Sequence, residues 1–275
     1  MRPDSAFDFF VIVTRYDEAY RAAASALGPR CRPRLAVALA RVLPPNAMSL
    51  RRSDGIGEQE AKTLIISERD FRRECSARAR DQFVQARMIQ TVRLAWARDP
   101  ASADAVLASV RQARARAFDW VRSFLPPAFD LPGYCRALID VSFTHELRAE
   151  AAGHPEVLYS AQRELLHALY GPALAELAAR GVLESEGGVY RQSEPPGWWR
   201  LRLVRSYFRW SRVRTTARLL KHPLLYDDWL GYLTRKIDRS TGQKIVLTAR
   251  EQRYPLIFLW PRAFRYLRSR PQRGH

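Results

Sequence analysis

The stretch Phe7-Asp8-Phe9-Phe10-Val11-Ile12-Val13-Thr14 decides how the fold begins, because apolar, aromatic and β-branched residues follow one another there without a helical spacing. Such a run predicts a β-strand that is covered on both faces. The run Ala61-Lys62-Thr63-Leu64-Ile65-Ile66-Ser67 predicts a second strand, preceded by a polar loop at 53–60. Two apolar strands in the first quarter of the chain indicate a small sheet.

Helices are predicted between and after these strands. Helical segments are expected at 17–27 and just before the Pro44-Pro45 pair. From residue 68 to 97 apolar residues recur every three to four positions, which predicts one long amphipathic helix. Ser102 is a typical N-cap residue and predicts the start of a second long helix, which Pro126 ends. This mixture of strands and helices predicts an α+β fold.

A hairpin is predicted later in the chain. Helices are expected after Gly133 and over 165–170, and the Gly171-Pro172 pair is expected to break the second of them. Two short β runs then flank a Gly187-Gly188 turn. Helices followed at once by a small hairpin indicate a winged-helix-like module.

The charge of the chain is strongly basic and uneven. Lysine and arginine number 46 against 28 acids, a formal net charge of +18. Residues 200–275 alone carry 19 basic and 4 acidic side chains, a balance of +15. The C-terminal third is therefore expected to meet an anionic partner, either nucleic-acid phosphates or an anionic membrane surface.

The cysteines and the hydropathy bear on location. Cys31, Cys75 and Cys135 have no paired spacing, so neither a disulfide framework nor a zinc site is predicted, and an intracellular location fits. No stretch approaches the roughly 18 apolar residues of a membrane span. The chain is expected not to cross a membrane.

Asp8 is the first candidate site residue. A carboxylate on an apolar strand is costly unless it is paired, hydrogen-bonded or bound to a cation. Nucleotidyl transfer needs a carboxylate at such a place to hold Mg²⁺ on a triphosphate. The alternative is an exposed strand start or an ion pair with an arginine. Asp4 is a second candidate metal ligand.

Other candidates are scattered. Lys62 is the only lysine before Lys221, and its point charge is a candidate to reach a phosphate. A solvated surface lysine is the alternative and the commoner outcome. Ser142, Glu146 and Arg148 lie within two turns of one predicted helix and offer an acid and a base to one cleft. A salt bridge on the helix surface is the alternative for the two charged residues.

The C-terminal segment combines aromatic and basic residues around a short apolar block at 255–261. This is the chemistry of a segment lying among lipid headgroups. The alternatives are nucleic-acid phosphates with stacked bases, or a buried C-terminal strand. The predicted membrane-binding residues are Trp260, Arg262, Phe264, Arg265 and Arg268.

Several short motifs occur along the chain in the same order as in a known protein family. The motifs are Phe7-Asp8-Phe9-Phe10, Pro45-Asn46, Lys62 to Ser67, Phe83 to Arg87, Val141 to Arg148, Leu169-Tyr170-Gly171 and Arg212 to Lys221. Together they resemble, over about 230 residues, the mitochondrial translocator assembly and maintenance protein family, the peripheral phosphatidate cytidylyltransferases with a nucleotidyltransferase fold.

The resemblance implies three parts: a nucleotidyltransferase-like domain with a small sheet at 1–100, a helical, winged-helix-like domain at 101–199 and a basic, membrane-associating segment at 200–275. It implies an enzyme of phospholipid biosynthesis that makes CDP-diacylglycerol and pyrophosphate from CTP and phosphatidic acid with Mg²⁺. A bacterial relative would lie on the cytoplasmic face of the inner membrane.

The resemblance also implies roles for individual residues. Asp8 is the metal ligand and Lys62 acts on the phosphates. The implied substrate-binding residues are Asn46, Arg87, Ser142, Glu146 and Arg148. The chain departs from the family pattern at Ala86 and His145, where the family has glycine, and at Glu146, where it has aspartate.

The family's Gly-Ser loop has no counterpart ahead of Asp8, since no glycine occurs before Gly28. We interpret the chain as a relative truncated at its N-terminus; the alternative is a degenerate relative that binds without catalysis. Two further functions remain open: a non-catalytic nucleic-acid-binding protein, and a nucleotidyltransferase with another acceptor.

Overall fold

The computed structural model describes residues 7–27, 32–54, 57–144 and 153–219, and the single residues 221, 225, 248 and 250. Contacts divide the chain into two compact units, Met1–Leu225 and Tyr226–His275. The elements that follow all belong to the first unit. The α+β fold class predicted from the sequence is confirmed.

The first sheet contains β1 (Phe7–Val13), β2 (Asn46–Asp54) and β3 (Gly57–Ser67) in the order β1-β3-β2. Strand β3 pairs parallel with β1 and antiparallel with β2. Helices α1 (Tyr16–Leu27) and α2 (Pro33–Val42) lie between β1 and β2 in the chain. Both strands read from the apolar runs are confirmed. The prediction that the first of them is covered on both faces is wrong, because Phe9 and Val11, on one face of β1, are 42% and 40% exposed.

The polar segment 53–60 is not the predicted loop. Strands β2 and β3 continue through it as a hairpin, and their register runs to Asp54 opposite Gly57. Hydropathy reports which residues are covered, whereas an antiparallel ladder needs only backbone hydrogen bonds. The hairpin therefore extends past the apolar part of the strands.

The long helix predicted at 68–97 is also wrong. Two short helices, α3 (Glu68–Glu74) and α4 (Gln85–Met88), lie in this segment, and the rest of it is irregular. The periodic apolar residues are still buried near α4, where Val84 and Ile89 are almost fully covered. Trp96, by contrast, is 78% exposed. The periodicity therefore matched burial only around α4, and no continuous helix forms.

The next helix begins earlier than its predicted cap. Helix α5 (Pro100–Ala115) is capped by Asp99, whose carboxylate accepts a hydrogen bond from the Ser102 backbone N–H at 2.7 Å. Ser102 is therefore inside the first turn and is not the cap. The short helix α6 (Ala117–Val121) follows.

A second sheet lies in the helical part of the unit. It contains β4 (Ala128–Asp130), β5 (Leu183–Glu186) and β6 (Val189–Gln192), all antiparallel, in the order β4-β6-β5. The predicted hairpin is confirmed. Its turn residues Gly187 and Gly188 have φ of 56° and 82°, which L-residues with side chains rarely adopt.

Between β4 and β5 lie α7 (Leu131–Thr144) and α8 (His154–Ala179). Helix α8 continues through Pro172, so the break predicted at Gly171-Pro172 is wrong. Tyr170 and Leu174, on either side of that pair, are at most 1% exposed. Packing of these side chains in the core holds the helix together where the local sequence favours a break.

The last described helix is α9 (Trp198–Leu219), whose Phe208 belongs to the core formed by α6, α7 and α8. A second core lies between the first sheet and α3, α4 and α5. Among the described helices, none has both the length and the apolar character that crossing a bilayer requires.

Candidate functional site

Asp8 and Lys62 lie side by side in the first sheet. They are Cα partners in the parallel pair of β1 and β3. Because side chains alternate along a strand, Asp8 shares a face with Phe10, and Lys62 shares it with Leu64. Phe10 and Leu64 belong to the core on that face. The acid and the lysine therefore stand just beyond this core, with Asp8 exposed and Lys62 half-buried.

This arrangement suits a cation and a phosphate together. The described residues contain no group of three or more His, Cys, Asp or Glu that could hold a metal ion. Asp4 lies outside the described residues. Mg²⁺ is usually held by one or two carboxylates together with substrate phosphates and water. Asp8 thus fits Mg²⁺ as one ligand beside a nucleotide's own oxygens, and offers no all-protein site.

Asn46 is placed away from that pair. It is Cα partner of Ile65, three residues along β3 from Lys62, or about 10 Å at the usual rise. Its side chain is fully buried. The Nδ2 donates to the Ala36 carbonyl at 2.8 Å, and the Oδ1 accepts from Lys221 Nζ at 2.6 Å. Asn46 joins α2 to the chain that follows α9.

Arg87 packs on an aromatic ring. Its Nη1 donates to the Phe83 carbonyl at 2.6 Å, and its Cζ lies 3.7 Å from the centre of the Phe83 ring. The Cζ of Arg218 lies 4.6 Å from the same ring centre. Two guanidinium groups thus share one ring, a favourable cation-π arrangement.

A buried ionic cluster, which we call the Asp81 cluster, comprises Asp81, Arg214, Arg218 and Lys221. The Oδ2 of Asp81 accepts from Arg214 Nε at 2.8 Å and from Arg218 Nη2 at 2.7 Å. Burial alone would raise the pKa of Asp81, but Arg218 and Arg214 outweigh it and hold the pKa below its usual value. Asp81 is therefore ionised in the folded protein.

The same cluster also hydrogen-bonds to backbone carbonyls just before β2. Arg218 donates from Nε to the Pro44 carbonyl at 3.0 Å. Lys221 Nζ donates to the carbonyls of Leu43 and Pro45 as well as to Asn46. Burial, reinforced by the nearby arginines, lowers the pKa of Lys221 to about 7. The end of α9 and Lys221, two residues beyond it, are thereby fixed to the start of β2 and the segment before it.

The hydroxyl of Ser142 is hydrogen-bonded within its own helix. It is buried in α7, and its Oγ donates to the Leu138 carbonyl one turn earlier at 2.7 Å. The remaining sequence-predicted residues lie outside the described part of the chain. They are Glu146, Arg148, Trp260, Arg262, Phe264, Arg265 and Arg268.

The structure thus brings together Asp8 and Lys62, and in a separate place Asn46 and the Asp81 cluster. Asp81 and Arg214 were not singled out by the sequence, because acids and arginines are common along the chain and these partners are 133 positions apart. No known protein family matches the chain, and no curated protein matches it either.

Proposed function

We propose that this chain is a nucleotidyltransferase that moves CMP from CTP to phosphatidic acid at a membrane surface, giving CDP-diacylglycerol and pyrophosphate. The observation that carries the proposal is the pairing of Asp8 and Lys62 on one sheet face beside the core. A carboxylate and an ammonium group at adjacent positions are what a cation-bound triphosphate requires. The choice of CTP and phosphatidic acid rests on the family resemblance.

The residues have distinct tasks in this reaction. A phosphate oxygen of the lipid attacks the α-phosphorus of CTP, a new P–O bond forms, and the bond to pyrophosphate breaks. Lys62 binds the triphosphate and stabilises the charge that builds up on the leaving group. When Mg²⁺ is bound at Asp8, it neutralises charge on the phosphates. Arg87, Glu146 and Arg148 stay predicted substrate contacts. The polar groups of Asn46 and Ser142 are hydrogen-bonded inside the protein, which favours structural roles for these two residues.

The test is transfer of labelled CMP from CTP into phosphatidic acid vesicles with Mg²⁺. Asp8→Asn should abolish transfer, whereas Asp104→Asn, which changes an exposed acid on α5, should leave it intact. Transfer that survives Asp8→Asn removes Asp8 from the site. Absence of transfer by the native chain contradicts the proposal for this acceptor.

A second candidate, a nucleic-acid-binding protein, is favoured by one specific observation. The sequence of elements β4, α7, α8, β5, β6 with the sheet order β4-β6-β5 fits a winged-helix arrangement. Tight RNA or DNA binding with a steep salt dependence, together with indifference to phosphatidic acid vesicles, would favour this function.

A transferase with a soluble acceptor, such as a sugar phosphate or an RNA end, is the remaining alternative. Such an enzyme has no need of an apolar C-terminal block. Deleting residues 250–275 should therefore reduce transfer to phosphatidic acid vesicles but leave transfer to a soluble acceptor unchanged.

A further inference from the structure

Helix α9 has an outer face that is apolar and exposed. Its inner face carries Phe208, Ser211, Thr215 and Arg218, which are at most 5% exposed. The opposite side carries Trp199, Leu203, Trp210 and Val213, which are 62%, 68%, 57% and 57% exposed. We call these four residues the outer stripe.

The spacing of the outer stripe keeps it on one side of the helix. At about 100° per residue, its four members fall within an arc of roughly 80°. From Trp199 to Val213 the stripe is about 21 Å long at 1.5 Å per residue. The exposed Ser206 lies in the same arc between Leu203 and Trp210. A single exposed apolar side chain is ordinary, whereas four on one side of a helix, two of them tryptophans, mark a contact surface.

Four exposed arginines flank the outer stripe on one side. They are Arg202, Arg205, Arg209 and Arg212. They occupy the neighbouring arc of roughly 80°. Helix α9 contains no acidic residue. None of the four arginines forms an ion pair with an acid in the described part of the chain.

The residue types of the outer stripe and of the flanking arginines indicate which kind of partner binds there. Tryptophan places an apolar ring and a polar N–H at a boundary between oil and water, and arginine extends from an apolar surface toward anionic groups. Leu203 and Val213 add apolar area but have no ring on which a base could stack. The stripe is therefore better matched to lipid than to nucleic acid.

We propose that the outer stripe of α9 lies on the surface of an anionic bilayer, with its apolar side chains at the boundary of headgroups and acyl chains. The four flanking arginines bind lipid phosphates. This surface is separate from the residues predicted at 260–268. It is also independent of the proposed transfer reaction, because any anionic lipid satisfies it.

The inner face of α9 fixes the helix to the rest of the unit, so a bilayer bound at the outer stripe also orients that unit. Arg218 ties the helix to Asp81, and Ser211 Oγ accepts the Gln82 backbone N–H at 2.9 Å. A helix fixed in this way holds the body that contains Asp8 and Lys62 in one orientation on the bilayer. Membrane contact therefore positions the sheet as well as concentrating the protein.

The experiment uses the full chain with phosphatidylcholine vesicles, with and without phosphatidylglycerol. Phosphatidylglycerol is anionic but lacks the phosphate monoester of the proposed acceptor, so binding is measured apart from catalysis. Acyl-chain-brominated lipids quench tryptophans that reach the acyl boundary. Trp198 stacks on Trp199 with ring centroids 3.9 Å apart and is therefore changed with it. Trp198→Phe, Trp199→Phe and Trp210→Phe together should preserve binding but remove most of the quenching, while Trp96→Phe, at a more exposed site off the helix, should leave the quenching unchanged.

A second pair of variants tests the arginines. Arg205→Gln with Arg209→Gln should weaken vesicle binding roughly 25-fold, a factor of about five for each arginine near the surface. Arg111→Gln with Arg163→Gln removes the same charge from exposed positions on α5 and α8 and should have little effect.

Two results would overturn the inference. One is native quenching that persists in the variant changed at Trp198, Trp199 and Trp210, which would assign membrane contact to another tryptophan such as Trp260. The other is no binding to phosphatidylglycerol vesicles, with RNA binding that the arginine pair variant abolishes. Loss of CMP transfer alone bears only on the proposed reaction.

Discussion

The guanidinium Nη2 of Arg218 lies 2.7 Å from the Oδ2 of Asp81, and both side chains are buried. Arg218 lies in α9, and Asp81 lies in the irregular segment between α3 and α4. Their ion pair therefore links the basic helix to that segment. Arg214 binds the same carboxylate oxygen. A buried pair contributes little net stability against an apolar replacement, but it is costly to break, because the remaining charge loses its partner.

Asp81→Asn should lower the free energy of unfolding by about 3–5 kcal/mol, since two buried guanidinium groups lose their counter-charge. Urea unfolding monitored by circular dichroism measures the change. Asp104→Asn, which removes an exposed acid, should change the free energy of unfolding by less than about 1 kcal/mol. Equal losses in the two variants would show that Asp81 is not ion-paired as described.

The pH dependence of stability should carry the signature of Lys221. Burial lowers its pKa to about 7 in the folded protein, from 10.5 for the free group. Between these values the unfolded chain binds one more proton than the folded chain. The free energy of unfolding attributable to Lys221 therefore rises with pH in this window, by up to about 1.4 kcal/mol per pH unit.

Lys221→Met removes this titrating group. Between about pH 7 and about pH 9, the unfolding free energy of the native chain should therefore rise relative to that of the variant. Urea unfolding at a series of pH values gives both curves. Curves that stay parallel over this range would mean that Lys221 does not titrate near neutral pH.

The elements predicted correctly from the sequence are those that a few adjacent residues specify. The run Phe7–Val13 and the Gly187-Gly188 turn each specify their structure through a few adjacent residues, and both are confirmed. The segment 68–97 has helical periodicity, but the structure has two short helices and irregular backbone there. The periodic residues Val84 and Met88 are buried, whereas Val92 and Trp96 are 37% and 78% exposed, so the periodicity fixed neither the backbone nor the burial of the second half of the segment.

The Asp81 cluster could not be predicted from the sequence. Asp81 lies 133 and 137 positions from Arg214 and Arg218, and nothing in the local sequence distinguishes Arg214 from the chain's many other arginines. The pairing of Asp8 with Lys62 is an intermediate case. Two predicted strands brought both residues into one sheet, but their register depends on the whole ladder.

Asn46 provides a test of structural against substrate-binding roles. Asn46→Ala leaves the Ala36 carbonyl and Lys221 each one buried partner short, which should cost about 2–4 kcal/mol of unfolding free energy. The KM for CTP, measured below the variant's unfolding temperature, should stay within about twofold of the native value. The reason is that Nδ2 and Oδ1 of Asn46 are both hydrogen-bonded inside the protein. A raised KM with unchanged stability would instead assign Asn46 to the nucleotide.

Lys62 should matter for transfer and little for folding. Lys62→Met removes the charge beside Asp8 and should lower kcat/KM for CMP transfer about 100-fold, the usual cost of losing one donor to a developing negative charge. Its free energy of unfolding should change by less than about 1 kcal/mol, because Lys62 is only half-buried. Lys62→Arg should recover part of the activity, and Arg34→Met, at an exposed position of α2, should have no effect. Native kcat/KM in Lys62→Met would exclude Lys62 from phosphate binding and leave Asp8 without a cationic neighbour in the proposed site.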